Sequence, residues 1–260
     1  MKNLSVALLA AAALSTSAIA NNGFYLGASA GVAQTNAKYS WTNNNQTAGL
    51  TTIQNNPAYT QIFNADTGKA AGLFGLFAGY GALVGSGMYV GGEIYGGFDT
   101  TNFNPFNDQS AGPALNGGAS GAALWKTTLK KSNYYGLAVR FGVMATPSTL
   151  IYLRLAAEAG KWKATITPAP NAAITTGSNS WNATNASKTG INFAPGAGVE
   201  VYLNKNIFVR AEYRYLFGPK INMTQDISGY SNANAVAGTQ ATHSLKTSQH
   251  SMTVGVGYKF

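Results

Sequence analysis

The chain has 260 residues, 45% of them apolar and only 10% charged, with 17 basic residues against 8 acidic ones and no cysteine. So low a charge content is unusual for a soluble domain, and without cysteine an exported protein must hold together without disulfides. Beyond the first twenty residues no segment approaches the roughly eighteen consecutive apolar residues of a helical membrane span, so such spans are excluded.

The N-terminus reads as a leader. Lys2 is the positive end, Leu4 to Leu14 the apolar core, and Ala18-Ile19-Ala20 a small-residue cleavage site. Residues 1–20 are therefore expected to be a signal peptide removed after Ala20, and residues 21–260 a single mature domain. Removing Lys2 from the 17 basic residues leaves 16 against 8 acidic ones, a formal charge of +8. The lysines are scattered, with Lys130-Lys131 the longest run, so no nucleic-acid patch is predicted.

Taken in order, the remaining segments alternate with a period of two. Stretches 23–39, 70–82 and 88–99 do so loosely, because Gly and Ala blur the two faces. From Tyr135 to Val143 the odd positions are apolar, opposing Gly136, Ala138, Arg140 and Gly142. Ile151, Leu153, Leu155, Ala157 and Ala159 oppose Tyr152, Arg154, Ala156, Glu158 and Gly160. Phe193, Ala197, Val199, Val201 and Leu203 oppose Gly196, Gly198, Glu200 and Tyr202. Ile207 to Phe217 sets apolar odd positions against Phe208, Arg210, Glu212 and Arg214. Ser251 to Phe260 is the most regular: Met252, Val254, Val256, Tyr258 and Phe260 against Ser251, Thr253, Gly255, Gly257 and Lys259. An apolar face for lipid and a small or polar face for a lumen is the pattern of transmembrane barrel strands.

Connections alternate in length. Short ones fall at Val84 to Gly87, Ala145 to Thr149 and Asn204 to Asn206; long ones span about 41–68, 100–124, 164–187 and 223–244. The predicted fold is all-β, a closed antiparallel up-and-down transmembrane barrel of eight strands, its short turns periplasmic and its four long loops extracellular. A ten-strand barrel stays open if 51–63 forms a hairpin arm. Treating Asn204 to Asn206 as a three-residue turn puts Val201 beside Val209, Val199 beside Ala211, Ala197 beside Tyr213, and Glu200 opposite Arg210.

All four arginines and all four glutamates fall on the lumen parity: Glu93, Arg140, Arg154, Glu158, Glu200, Arg210, Glu212 and Arg214. An eight-stranded barrel is only wide enough to be filled by side chains, so these charges are expected to pair, Glu200 with Arg210 directly. Arg140 and Arg154 face each other and need Glu93 or Glu158 between them. The set reads either as a salt-bridged plug or as an ion path. Catalysis finds little support: His243 is placed in a polar loop and His250 on the lipid parity, and no enzyme activity, metal or cofactor is expected. Gly196-x-Gly198 lacks the helix a dinucleotide fingerprint needs, and Gly75-xxx-Gly79 is too short and broken for a helix-pairing face. Two aromatic girdles are expected, one with Tyr39, Trp41, Trp125, Trp162 and Phe217, the other with Phe24, Tyr25, Tyr89, Tyr258 and Phe260.

Val254-x-Val256-x-Tyr258-x-Phe260 resembles the signal by which outer-membrane barrels reach the barrel assembly machinery. The mature chain as a whole resembles the OmpA-type and opacity-type small barrels, the porin-family surface antigens. That resemblance implies eight strands, a plugged polar interior, variable surface loops, and an outer-membrane location among lipid and lipopolysaccharide. No residues follow Phe260 where full-length OmpA-type proteins carry a peptidoglycan-binding domain, so cell-wall anchoring is not expected. The leading functional expectation is a monomeric structural and surface-interaction protein that contacts a host or surface ligand through its loops, the alternative a narrow pore for small solutes or ions.

Overall fold

The strand pairing closes on itself. The computed structural model describes residues 22–43, 65–85, 87–107, 125–168, 184–226 and 240–260. They hold β1 (Gly23–Asn43), β2 (Ala65–Val84), β3 (Met88–Asp99), β4 (Asn102–Asn107), β5 (Trp125–Thr146), β6 (Thr149–Pro168), β7 (Thr184–Phe193), β8 (Gly196–Tyr202), β9 (Ile207–Asp226) and β10 (Gln240–Lys259). β3 and β4 both pair with β5, and β7 and β8 both pair with β6, so each couple is one stave with a short break. The second break falls at Ala194-Pro195, where proline has no N–H for the ladder. Eight antiparallel staves follow one another in chain order, and β1 pairs with β10 as well as with β2, which closes the ring. The segment 51–63, on which ten strands would have depended, lies outside the described residues, as does the expected leader with Ala18 and Ala20.

The short turns carry the chemistry their geometry needs. Gly85 and Gly87 have φ of 62° and 110°. That region costs a side chain strain and glycine nothing. At the β8–β9 turn the Asn204 side-chain oxygen accepts from the N–H groups of Asn206 and Ile207 at 2.9 and 2.7 Å. Asparagine is favoured in turns for this local bonding. The resulting register is the one the alternation predicts, with Glu200 opposite Arg210 and Ala197 opposite Tyr213.

The strands run further than the alternation suggests. β1 continues to Asn43, β6 to Pro168 and β9 to Asp226, β4 occupies Asn102–Asn107 and β10 begins at Gln240, so strand enters all four expected loops. In these upper reaches polarity inverts: lysines and asparagines face out, while Leu129, Trp162, Ile166, Ile221, Met223 and Leu245 are buried inside. Bulges at Lys131/Tyr134 and Lys246/Ser248 help this inversion, because one extra residue rotates everything beyond it to the other face. His243 accordingly lies in β10, buried and hydrogen-bonded to Tyr39, and not in a loop. Trp162, Tyr39, Tyr25 and Tyr89 also leave the expected girdles for the interior. Outward rings include Phe74, Phe98, Tyr135, Phe193 and Phe217 at one level and Phe24, Tyr80, Tyr258 and Phe260 at the other. The side chains of Trp41 and Trp125 lie outside the described residues.

Inside, glycines on one strand seat aromatic rings from the next. Tyr25 lies opposite Gly79, Tyr95 opposite Gly136, Tyr152 opposite Gly198 and Phe208 opposite Gly257. A Cβ on Gly198 would stand 2.5 Å from the Tyr152 ring, and one on Gly257 closer still to that of Phe208, so these notches admit no side chain unless the ring moves. The substitution Gly198→Val is expected to cost about 1–3 kcal/mol by overpacking. Urea unfolding in bilayers checks it, and an unchanged midpoint would mean that the ring has no fixed seat.

Candidate functional site

The middle of the lumen is a layer of ion pairs. Its cations are Arg140 and Lys131 from β5, Arg154 from β6, and Arg210 and Arg214 from β9. Its anions are Glu93 and Asp99 from β3, Glu158 from β6, Glu200 from β8 and Glu212 from β9. All ten side chains are buried. The strand period of two delivers the four arginines and four glutamates: each occupies an inward position between outward residues that are apolar or small, so none can leave the lumen without a register slip.

Glu93 is the hub. Its carboxylate lies 2.6 Å from Arg210, 3.8 Å from Arg140 and 3.8 Å from Arg154, and accepts the Tyr25 hydroxyl at 3.1 Å. It therefore stands between Arg140 and Arg154, which face each other in register and would repel without it. Arg140 also binds Glu200 at 2.5 Å, and Arg154 reaches Glu212 at 3.6 Å. Arg214 joins Glu158 and Glu212 at 3.0 and 3.8 Å, and Lys131 binds Glu158 and Asp99 at 3.1 and 3.3 Å. Tyrosine hydroxyls complete the carboxylates, Tyr152 donating to Glu212, Tyr95 to Glu158 and Tyr202 to Glu200. Guanidinium planes lie over rings as well: Arg210 on Phe77 at 3.4 Å, Arg140 on Tyr152 at 3.9 Å and Arg154 on Tyr95 at 4.1 Å. Each such contact is an attraction between the cation and the negative face of the ring.

One expected partnership is corrected. Glu200 and Arg210 sit directly opposite in the register, yet their side chains pair elsewhere, Glu200 with Arg140 and Arg210 with Glu93. Neighbouring inward side chains leave the wall side by side, and an arginine is long enough to carry its guanidinium to the barrel axis. There the nearest carboxylate is Glu93, which comes from the stave diametrically across the ring.

Lys131, Asp99 and Gln249 belong to this layer and were missed by the charge pattern. Gln249 accepts from Lys131 and donates to Asp99, both at 2.8 Å. Asp99 and Gln249 share the parity of Glu93 and Thr253, so period two alone could have found them. Lys131 has the parity of the lipid-facing Tyr135, and only the bulge turns it inward.

Around the ion pairs the lumen is filled. Tyr25, Phe77, Tyr202 and Phe208 close it toward the short turns, with Tyr89, Leu150 and Tyr152 beside them. Tyr39, Phe103, Leu129, Trp162, Ile166, Ile221 and Leu245 fill the other end. Between Glu93, Arg154, Arg210 and Glu212 lies a cavity of about 10 Å³. That is room for one water. Among the described residues no three His, Cys, Asp or Glu cluster so as to hold a metal ion.

A closed eight-stave ring with an apolar exterior and a charged, packed interior is the architecture of a small outer-membrane barrel. The family model for the outer membrane protein beta-barrel domain matches residues 4–260. The chain belongs to that family. No curated protein matches this outer-membrane barrel. Solved structures similar to it include OprG from Pseudomonas aeruginosa, 14% identical, covering 95% of this chain and 99% of that one with a TM-score of 0.47. The attachment invasion locus protein Ail of Yersinia pestis, in complex with the heparin analogue sucrose octasulfate, is 15% identical over 92% of this chain and 99% of that one, TM-score 0.40. The outer membrane protease OmpT from Escherichia coli is 10% identical over 95% and 100%, TM-score 0.46.

The pairing makes a quantitative demand on this barrel. In a double-mutant cycle by urea unfolding in bilayers, Glu93→Gln alone is expected to cost about 3–5 kcal/mol, because it strands buried arginines. The cycle should give strong coupling between Glu93 and Arg210 and much weaker coupling between Glu200 and Arg210. Equal coupling in the two cycles would contradict the assignment of partners.

Proposed function

We propose that this outer-membrane barrel is a surface-interaction protein, adhesin-like or a surface antigen, in which the barrel is a closed scaffold and binding resides in the extracellular connections. The filled lumen carries this reading. A pore needs a continuous aqueous path, whereas here ten buried charges neutralise one another between two apolar layers and the cavity among them has a volume of about 10 Å³. With the interior spent on stability, the surface left for function is the end of the molecule remote from the short turns, where the strands lead into the four long connections. Neither histidine is assigned a catalytic role in this reading, His243 being bonded to Tyr39 inside the barrel and His250 to Tyr213 on its outer wall.

Export and assembly fit the same picture. In our reading the leader is removed after Ala20, and Val254, Val256, Tyr258 and Phe260, all exposed along one face at the C-terminal end, present the assembly signal to the barrel assembly machinery. A chain ending at Lys259 should then yield little heat-modifiable barrel.

The functional reading is tested by shortening the four connections one at a time in cells that display the protein. Attachment to host cells or matrix, scored against the parent, should fall at least about tenfold for one or more shortened chains while barrel levels stay normal. Full attachment by a barrel with all four shortened would refute it.

A further inference from the structure

The lysines that look scattered along the chain are gathered in space. Nine of them lie exposed on the strand reaches beyond the apolar belt, and every acidic residue whose side chain is described points into the lumen instead. The outer wall above the belt is therefore cationic among the described residues. Strand register sharpens this, because Lys130 on β5 sits directly opposite Lys163 on β6, and Lys246 on β10 lies between Lys38 and Lys220 on its two neighbours. Like charges placed opposite one another across a sheet are destabilising, so Lys130 and Lys163 call for an anion held against the wall, whereas Lys38 is also opposite Asp66 on β2 in the register.

A second feature lies below one of these groups. On the lipid-facing side of β1, β2, β3, β5, β6 and β7 runs a largely apolar groove of about 820 Å³, in which Ala157 and Ala159 of β6 stand between Tyr135 and Leu137 of β5 and Ile191 of β7. Small side chains make the depression and larger ones its rims. Its lining is apolar throughout the β5–β7 portion, and Lys161 follows Ala159 by only two residues on the same outward face of β6, with Lys163 two further on. At roughly 3.3 Å per residue along strands tilted by about 40°, Lys161 and Lys163 stand roughly 5–10 Å above the upper end of the groove. That is the height of the headgroup layer, which extends roughly 5–8 Å beyond the hydrocarbon.

We propose that the outer face of β5 and β6 is a binding site for a phosphorylated lipid of the outer leaflet, with acyl chain in the groove and headgroup phosphate on Lys130, Lys161 and Lys163. Two physical demands meet in one ligand. The groove takes hydrocarbon, and the ammonium groups immediately above it take anionic oxygen. Their side chains radiate sideways from the wall rather than up from the rim, so the molecule they meet is one lying against the barrel in the plane of the membrane. The flexible lysine stems let the charges settle at the depth of the phosphate. This assignment is independent of what the extracellular connections bind.

The test uses the intact barrel refolded in detergent micelles and titrated with bisphosphorylated lipid A or with the same lipid dephosphorylated, binding being read by native mass spectrometry. The parent should hold the phosphorylated lipid at least about tenfold more tightly, and the Lys130→Gln/Lys161→Gln/Lys163→Gln variant should lose that preference. Filling the groove by Ala159→Leu should weaken both lipids by a similar factor. These positions face outward, so folding is verified by heat-modifiable mobility on gels, and Ala159→Leu and the Lys variant report independently. Three results would overturn the proposal: no preference for the phosphorylated lipid in the parent, an equal loss in a Lys38→Gln/Lys220→Gln/Lys246→Gln variant, or equally tight, triad-dependent binding of a soluble sulfated oligosaccharide. The second would mean that net charge alone attracts the lipid, and the third that the ligand is a free polyanion.

Discussion

Ten ionised side chains share a space too narrow for bulk water, and the rest of the barrel follows from how they neutralise each other. An isolated charge in such surroundings costs several kcal/mol, and breaking a buried pair about 3–5 kcal/mol. Five cations meet five anions here, with Glu93 serving three arginines at once. Its tie to Arg210 joins staves on opposite sides of the ring, so the network braces the barrel across its diameter and complements the ladder that braces it around the circumference. It also fixes register. A one-residue slip of β9 would send Arg210 and Arg214 into lipid at about 2–4 kcal/mol each near the midplane.

The layers above and below exist to keep those charges dry and aimed. Tyr25, Tyr95 and Tyr152 lie across glycines on adjacent strands, which brings their hydroxyls to Glu93, Glu158 and Glu212 and their ring faces near Arg140 and Arg154. A side chain larger than hydrogen at Gly198 or Gly136 would push these rings off their carboxylates. Beyond the ion pairs the staves rise past the membrane, and their polarity inverts to apolar within and lysine-rich without. The upper barrel is thus built like a soluble one standing on a membrane one, which explains a buried Trp162 and a cationic outer wall in the same stretch of chain.

Much of this was legible in the sequence, for a physical reason. Period two is rigid, so inside the belt each arginine and glutamate could be assigned to the lumen from its neighbours' polarity, and Asn204 to Asn206 fixed the β8–β9 register. What parity cannot supply is reach and phase. It placed Glu200 opposite Arg210 correctly but could not say that an arginine spans the lumen to Glu93. It also could not see the bulges: Lys131 reads as outward until the extra residue before Tyr134 turns it inward, and Pro219, Ile221 and Met223 continue the odd parity of Phe217 while facing the other way. Above the belt the lipid that enforces an apolar outer face is gone. There the alternation weakens into Asn, Thr, Ser and Lys, and strand is mistaken for loop.

The central claim is that the charged layer is a plug, its charges balanced by each other and not by passing solute. Conductance across a planar bilayer containing the purified parent barrel measures this most directly. A closed lumen predicts a flat baseline at every applied voltage and salt concentration, with leak appearing only when Glu93 is removed and the layer loosens. Discrete, salt-dependent conductance steps in the parent, unchanged by Glu93→Gln, would show that ions pass the layer as built and would contradict the account.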